Sequence, residues 1–397
     1  MSQPSPPKAA AVVDIHTHMY PPSYVSMLRS RTEIPLVRTF PASPEDPRLI
    51  LLSSEVPLLL EAESNPARSN QIIPGRPLTR HYSSLAQKIH FMDTHKIAIS
   101  VLSLANPWLD FLSPAEAPLV AKETNTSFSD MCASHPGRLY FFGTLPLTAP
   151  TSEIQSCIDN LSRTPYCRGV ILGTSGLGSG LDDPNLLPIF SALAEKNLTI
   201  FLHPHYGLPN QVYGPRQAEY GHVLPLALGF PMETTIAVTR MFLAGVFDSI
   251  PTLQIILAHS GGTLPFLAGR IESCIAHDGH LFSRQQQKTG GEKRRTLWEV
   301  LNTQIYLDAV VYSDVGVQAA VAASSGGERG GGGGGLERLM FGTDHPFFPP
   351  LGTDEQGEWE SVSLNAQAVG RALGEGTEAA EKVMGGNAIR VLRLVGE

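Results

Sequence analysis

Eight apolar runs of strand length, spread along almost the whole chain, restrict its fold more than any other feature. They fall at 12–18, 98–106, 138–146, 167–175, 198–205, 253–262, 304–313 and 338–347. Most are apolar nearly throughout, the pattern of strands buried on both faces and hence of a parallel sheet covered by helices. Helical patterns lie between most of them, for example at 83–96, 114–134, 151–163, 186–196 and 232–247. Eight strands alternating with helices predict an α/β fold of the (β/α)8 barrel type. A doubly wound open sheet is the alternative. The barrel is preferred because the polar residues of chemical interest gather at the C-terminal ends of the runs, where such barrels carry their active sites.

Residues 12–397 are expected to form one domain, preceded by a flexible Pro/Ala-rich tail at 1–11. With 42% hydrophobic residues the chain can build a large core. Its net charge of −8, with 17% charged residues, argues against nucleic acid or an anionic membrane as partner. No run approaches the roughly 20 apolar residues of a membrane span, and the start is no secretory signal. Cys132, Cys157, Cys167 and Cys274 form no Cys-x-x-Cys. They read as buried thiols of a reducing, cytoplasmic compartment. Two segments interrupt the alternation. Residues 23–80 are Pro-rich, carry Arg38, Arg48, Arg76 and Arg80, and read as a lid insertion over the barrel mouth. Residues 203–250 carry Tyr206, Tyr213, Phe230 and Met232 before the sixth run. The glycine-rich stretch 324–335 should be a flexible surface loop, and with no Lys-Ser/Thr after it the stretch makes a poor phosphate cradle.

The first run ends in Asp14-Ile-His16-Thr-His18. Alternate residues of a strand share a face, so His16 and His18 project side by side and make half of a divalent-metal site. A lone His-x-His can also be two surface histidines. Here partners recur downstream. His203 ends the fifth run and is a candidate third nitrogen ligand, with His205 as its rival. Asp344, in Gly342-Thr-Asp344-His-Pro-Phe347, ends the last run, which in a barrel neighbours the first. Gly342 allows close backbone packing there. Three histidines and one aspartate leave a position open for substrate or water. His259, in His259-Ser-Gly-Gly262, is a candidate proton partner or orienting group for Asp344. Asn106 offers donor and acceptor, Arg76 could clamp a carboxylate, and Phe230 and Phe347 could sandwich a planar ring. The fourth run contains no lysine, so a two-metal site bridged by a carboxylated lysine has no candidate there.

These motifs resemble the metal-dependent decarboxylase branch of the amidohydrolase superfamily, which includes aminocarboxymuconate-semialdehyde decarboxylase. The resemblance runs from about residue 12 to 394. Six longer stretches are most similar to fungal uracil-5-carboxylate (isoorotate) decarboxylases. They are Asp14-Ile-His-Thr-His-Met-Tyr-Pro-Pro-Ser-Tyr24, Pro74-Gly-Arg-Pro77, Ser103-Leu-Ala-Asn-Pro-Trp108, His203-Pro-His-Tyr-Gly-Leu-Pro209, Gly229-Phe-Pro-Met-Glu-Thr-Thr235 and Asp344-His-Pro-Phe-Phe-Pro-Pro350. The resemblance implies one zinc ion held by His16, His18, His203 and Asp344, and substrate contacts at Arg76, Asn106, Phe230 and Phe347. It also implies non-oxidative removal of CO2 from 5-carboxyuracil in pyrimidine salvage, by a homodimer. The glycine-rich stretch departs from the family pattern but lies outside the motifs.

The chemistry expected of these residues is protonation of a ring carbon followed by loss of CO2, with Asp344 as the acid and His259 as its hydrogen-bond partner. Three rivals stand beside it: a decarboxylase of a salicylate-type acid, a metal-dependent amide or lactone hydrolase, and a non-catalytic binding protein.

Overall fold

The structure is a computed structural model that describes residues 11–41, 43–65, 73–279, 294–326, 334–350 and 357–394. Eight strands form one parallel sheet: Val12–Met19 (β1), Ile97–Leu104 (β2), Leu139–Thr144 (β3), Cys167–Gly173 (β4), Thr199–His203 (β5), Ile255–Leu257 (β6), Ile305–Asp308 (β7) and Leu339–Met340 (β8). They pair in chain order. Beyond the end of β8 the sheet closes on β1. Thr17 bridges to His345, the His18 amide donates to the His345 carbonyl at 2.8 Å, and the Asp344 amide donates to the His16 carbonyl at 2.8 Å. Each strand is followed by at least one helix, as a parallel ladder requires of its crossovers. The fold is the expected (β/α)8 barrel.

Two-sided burial explains the continuous apolar runs. All six residues of β3 are buried. Its neighbours Phe141 and Phe142 point to opposite faces. Phe141 stacks on Phe128 of the helix Ala117–Ala133, and Phe142 meets Phe201 of β5 across the barrel interior, with centroids 5.8 and 5.3 Å apart. Fully burying each such ring is worth about 1.5–3 kcal/mol.

Residues 23–80 have more regular structure than a Pro-rich stretch suggests. The strands Leu36–Phe40, Ser43–Ile50 and Arg76–Pro77 form a small antiparallel sheet. It closes on the helix Val56–Ser64 around its own core of Leu36, Phe40, Ile50, Leu59 and Ala62. β6 and β8 are shorter than the runs that contain them. After β6, His259 and Ser260 take left-handed backbone angles, so the chain leaves the ladder there and turns into the barrel mouth. Past β8 the backbone keeps bonding to β1, and Asp344 is left-handed within that stretch. The expectation of four buried thiols needs correcting. Cys132 and Cys167 are buried and Cys157 is half-buried, but Cys274 is exposed on the helix Leu264–His277. The glycine-rich loop is shorter than 324–335, since Ser324 still belongs to the helix Asp314–Ser324 and Gly335 opens the turn Gly335–Arg338. Its centre, 327–333, lies outside the described residues, as does the tail up to residue 10.

Gly342 lies where β8 meets β1. A Cβ there would come 2.6 Å from the His16 Cβ, a distance at which one strand must move. Gly342→Ala should therefore destabilise the protein by about 1–3 kcal/mol, read from the denaturant midpoint. An unchanged midpoint would mean that the seam between the first and last strands is slack.

Candidate metal centre and substrate cavity

His16 and His18 alternate along β1 and both are buried. β5 ends on His203, and Asp344 follows β8. The barrel brings these four together, one nitrogen from each histidine and one Asp344 oxygen all lying within 4.8 Å of one another. Asp344 Oδ1 is 3.2 Å from His16 Nε2 and 3.5 Å from His18 Nε2. His205 is not in this cluster. Its Nε2 lies 3.2 Å from Asp110 Oδ2, and its ring packs on Tyr206 and Trp108.

Each histidine is oriented by a bond on its other nitrogen. His16 Nδ1 donates to the Asp308 carboxylate at 2.6 Å, and His203 Nδ1 donates to the Pro204 carbonyl at 2.8 Å. His18 Nδ1 lies 2.8 Å from Ser103 Oγ, whose single hydrogen is given to the Thr17 carbonyl, so the serine accepts from the ring. All three imidazoles therefore turn Nε2 inward. Burial lowers the pKa of His16, but the Asp344 and Asp308 carboxylates outweigh burial and raise it to about 10, so its Nε2 proton is one that a binding cation would displace. Those three atoms and Asp344 Oδ1 are buried and have no hydrogen-bond partner among the described residues. Orphaned buried polar atoms are rare and costly. Four of them converging, all imidazole-nitrogen or carboxylate ligand atoms, fit a divalent cation.

Electrostatics agree with that role. Burial pushes the Asp344 carboxyl up, but the charge of His16 and the close approach of His18 and His259 outweigh it and hold the group well below the usual carboxylate range. Burial pulls His18 down to about 4 and His203 well below the ordinary imidazole value, which keeps both neutral as ligands must be. His259 stands beside the cluster with Nε2 3.6 Å from the second Asp344 oxygen, Oδ2.

A cavity of ≈ 630 Å³ opens from the cluster. Its wall includes His203, His259, Asp344, Phe230, Phe347 and Tyr312. Arg76 and Asn106 are not on that wall. Arg76 adjoins it through Phe347, whose ring lies 5.1 Å from the guanidinium carbon. Arg76 donates to the Asn106 carbonyl at 2.7 Å and to the Tyr20 hydroxyl. The Asn106 amide donates to the His205 carbonyl, leaving its Oδ1 buried and without a partner among the described residues. Glu233, from the Gly229–Thr235 motif, accepts from the His205 amide at 2.9 Å, from the Gly207 amide and from Thr174 Oγ1. It ties down the loop that follows His203.

The sequence reading missed Asp308 and Tyr312. Asp308 ends β7 and accepts from the His259 and Ser260 amides at 3.0 and 2.8 Å as well as from His16. Its signal was available: it ends the seventh run, on the face where barrel chemistry gathers. Tyr312 offered no such signal.

Residues 13–313 match the family model described as Amidohydrolase. The chain is 66% identical to the IDCase (isoorotate decarboxylase) of Metarhizium anisopliae, solved in apo form, over 97% of each chain with a TM-score of 0.88. It is 28% identical to the 2-amino-3-carboxymuconate-6-semialdehyde decarboxylase of Dictyostelium discoideum, over 77% of this chain and 76% of that protein. The fold is also that of the 5-carboxyvanillate decarboxylase of Novosphingobium aromaticivorans, solved with manganese and 4-hydroxy-3-methoxy-5-nitrobenzoic acid. That match is 20% identical over 97% of this chain and 96% of the other, with a TM-score of 0.69.

Two substitutions test the centre. His203→Ala should leave the purified protein with little of the roughly one metal ion per chain expected of the intact site, read by elemental analysis. Asp308→Asn keeps every proposed ligand but loses the carboxylate behind His16, and should weaken metal affinity by about 10–100-fold. Wild-type affinity in a folded Asp308→Asn protein would remove Asp308 from the site.

Proposed function

Because this chain belongs to the amidohydrolase family, in its metal-dependent decarboxylase branch, and is a carboxy-lyase, we propose that it removes CO2 from 5-carboxyuracil to give uracil. The 66% identity to an IDCase over nearly the full length carries the choice of substrate. The reading includes zinc as the metal, a cytoplasmic homodimer, and a place in pyrimidine salvage. The four free cysteines agree with a reducing compartment, and among the described residues no helix is long and apolar enough to cross a membrane.

His16, His18, His203 and Asp344 would hold the metal. A bound divalent cation supplies Lewis-acid charge beside the carboxylate and its neighbouring ring oxygen. The remaining work belongs to the chain. Phe230 and Phe347 line the cavity with flat apolar faces that suit a planar ring. Arg76, which lies against Phe347, and Asn106, whose carbonyl accepts from Arg76, would position the substrate from that side. Asp344 delivers a proton to carbon five, the ring carbon becomes tetrahedral, and the bond to the carboxylate breaks with loss of CO2. Asp344 is a carboxylate in the free site. The proton it hands on therefore reaches it after substrate binds, and His259, facing Oδ2, is the neighbour placed to supply it.

Incubating the metal-loaded protein with pyrimidine and salicylate-type acids should release CO2 fastest from 5-carboxyuracil. Preference for a salicylate would transfer the same chemistry to the phenolic substrate. Asp344→Asn keeps the side-chain shape and an oxygen ligand but cannot donate an acidic proton. It should retain much of its metal and lose several orders of magnitude in turnover. Substantial turnover by a metal-replete variant would move the acid role to His259. Arg76→Ala should raise KM, and unchanged kinetics would show that this arginine does not reach the substrate.

A further inference from the structure

We propose that the Tyr312 hydroxyl is a substrate-contacting donor that recognises an oxygen of the bound acid and helps set specificity. The proposal rests on the decarboxylase reading of the same cavity and extends it to a residue on the β7 side.

Tyr312 lines the cavity together with His259, Asp344 and Phe347. Its hydroxyl oxygen is buried and has no hydrogen-bond partner among the described residues. Tyr20, Tyr24 and Tyr140, each more deeply buried than the half-buried Tyr312, are built differently. Tyr24 donates to the Pro107 and Trp108 carbonyls at 2.6 and 2.9 Å, Tyr20 to the Asn106 carbonyl, and Tyr140 to the Leu394 carbonyl. A tyrosine kept for packing alone would satisfy its hydroxyl in the same way, or be a phenylalanine. An unmet donor on a residue that lines a cavity is available to what enters the cavity.

The backbone is arranged to aim it there. Tyr312 takes a left-handed conformation at φ 56°, which costs a non-glycine residue free energy and persists only where neighbours enforce it. The enforcing group is identifiable. Asn365, fully buried on the helix Glu360–Leu373, accepts from the Val311 and Tyr312 amides at 3.1 and 2.8 Å through one oxygen, while its own amide donates to the Ser361 carbonyl at 2.8 Å. At the other end of the turn, the Val310 amide donates to Asp308 at 3.1 Å. One strained turn is thus clamped between the carboxylate that orients His16 and a buried asparagine, and its product is the placement of one phenol. The phenol is uncharged at neutral pH and can donate a single hydrogen. Its ligand is an acceptor, so a carboxylate or carbonyl oxygen of the planar acid is the chemical class recognised.

Tyr312→Phe removes only the oxygen and leaves the ring to pack. On the acid that the wild-type protein turns over fastest, KM should rise roughly tenfold, the usual effect of losing one hydrogen bond to a charged ligand, with kcat changed less than twofold. Calorimetric binding of the same acid to the metal-loaded protein should weaken by a similar factor. Metal content and thermal midpoint should match the wild type, because the hydroxyl bonds to nothing among the described residues. Unchanged KM and unchanged binding in a folded, metal-replete variant would overturn the proposal and leave the decarboxylase reading intact. If the wild type neither binds nor turns over any planar carboxylic acid, the decarboxylase substrate reading fails, and the assignment of Tyr312 falls with it.

Discussion

The seam between β1 and β8 is the contact on which the rest of the molecule depends. Closing it makes the barrel, and the same bonds put Asp344 against His16 and His18, three of the four candidate metal ligands. Asp14, at the start of the motif, accepts from the Thr343 amide at 3.0 Å and from its hydroxyl at 2.8 Å. Behind the seam the buried Lys88 donates to Thr17 Oγ1 and contacts His345 Nδ1 at 3.0 Å, while Phe91 stacks on the His345 ring at 3.7 Å. Burial pulls the Lys88 ammonium down to about 8, and the charge of Asp14 opposes that fall. Thr17 and His345 are the two residues that bridge the strands. A polar network in so dry a place is justified by the geometry it imposes on the alternate residues, His16, His18 and Asp344.

From that frame the chemistry follows by subtraction. The nitrogens facing away from the centre have partners in Asp308, Ser103 and Pro204, which leaves the inward Nε2 atoms without a hydrogen-bond partner among the described residues. Each buried polar atom left unmet costs about 1–3 kcal/mol. Left-handed angles at Asp344, His259, Ser260 and Tyr312 add strain at the same end of the barrel. A bound cation and a planar acid would relieve much of this cost, and metal and substrate should therefore both stabilise the folded chain.

Much of this was legible in the primary structure. Period-two spacing placed His16 and His18 on one face, and the order of eight apolar runs placed the last strand beside the first. Gly342 already signalled a close approach, and the structure shows the His16 Cβ lying where a side chain would go. Other features could not be read. Prolines in 23–80 masked three short strands, because local propensity says little about an antiparallel sheet assembled across forty residues. Lys88 has an ordinary helical neighbourhood, and only the tertiary fold reveals that its ammonium ends beneath the β1 strand. The early end of β6 depends on left-handed angles at His259 and Ser260, which no propensity predicts. Arg76 and Asn106 could be singled out by motif, but that Arg76 adjoins the cavity through Phe347 and bonds to Asn106 is a matter of packing.

The central claim is that this barrel breaks a carbon–carbon bond to a carboxylate and replaces it with a bond to hydrogen. The direct measurement is the reaction of the metal-loaded protein with 5-carboxyuracil in deuterium oxide, followed by mass spectrometry and proton spectra of the product. The account predicts uracil carrying one deuterium on carbon five, with one CO2 released per molecule. A product that keeps its carboxyl carbon and gains oxygen from water would contradict it and make the protein a hydrolase.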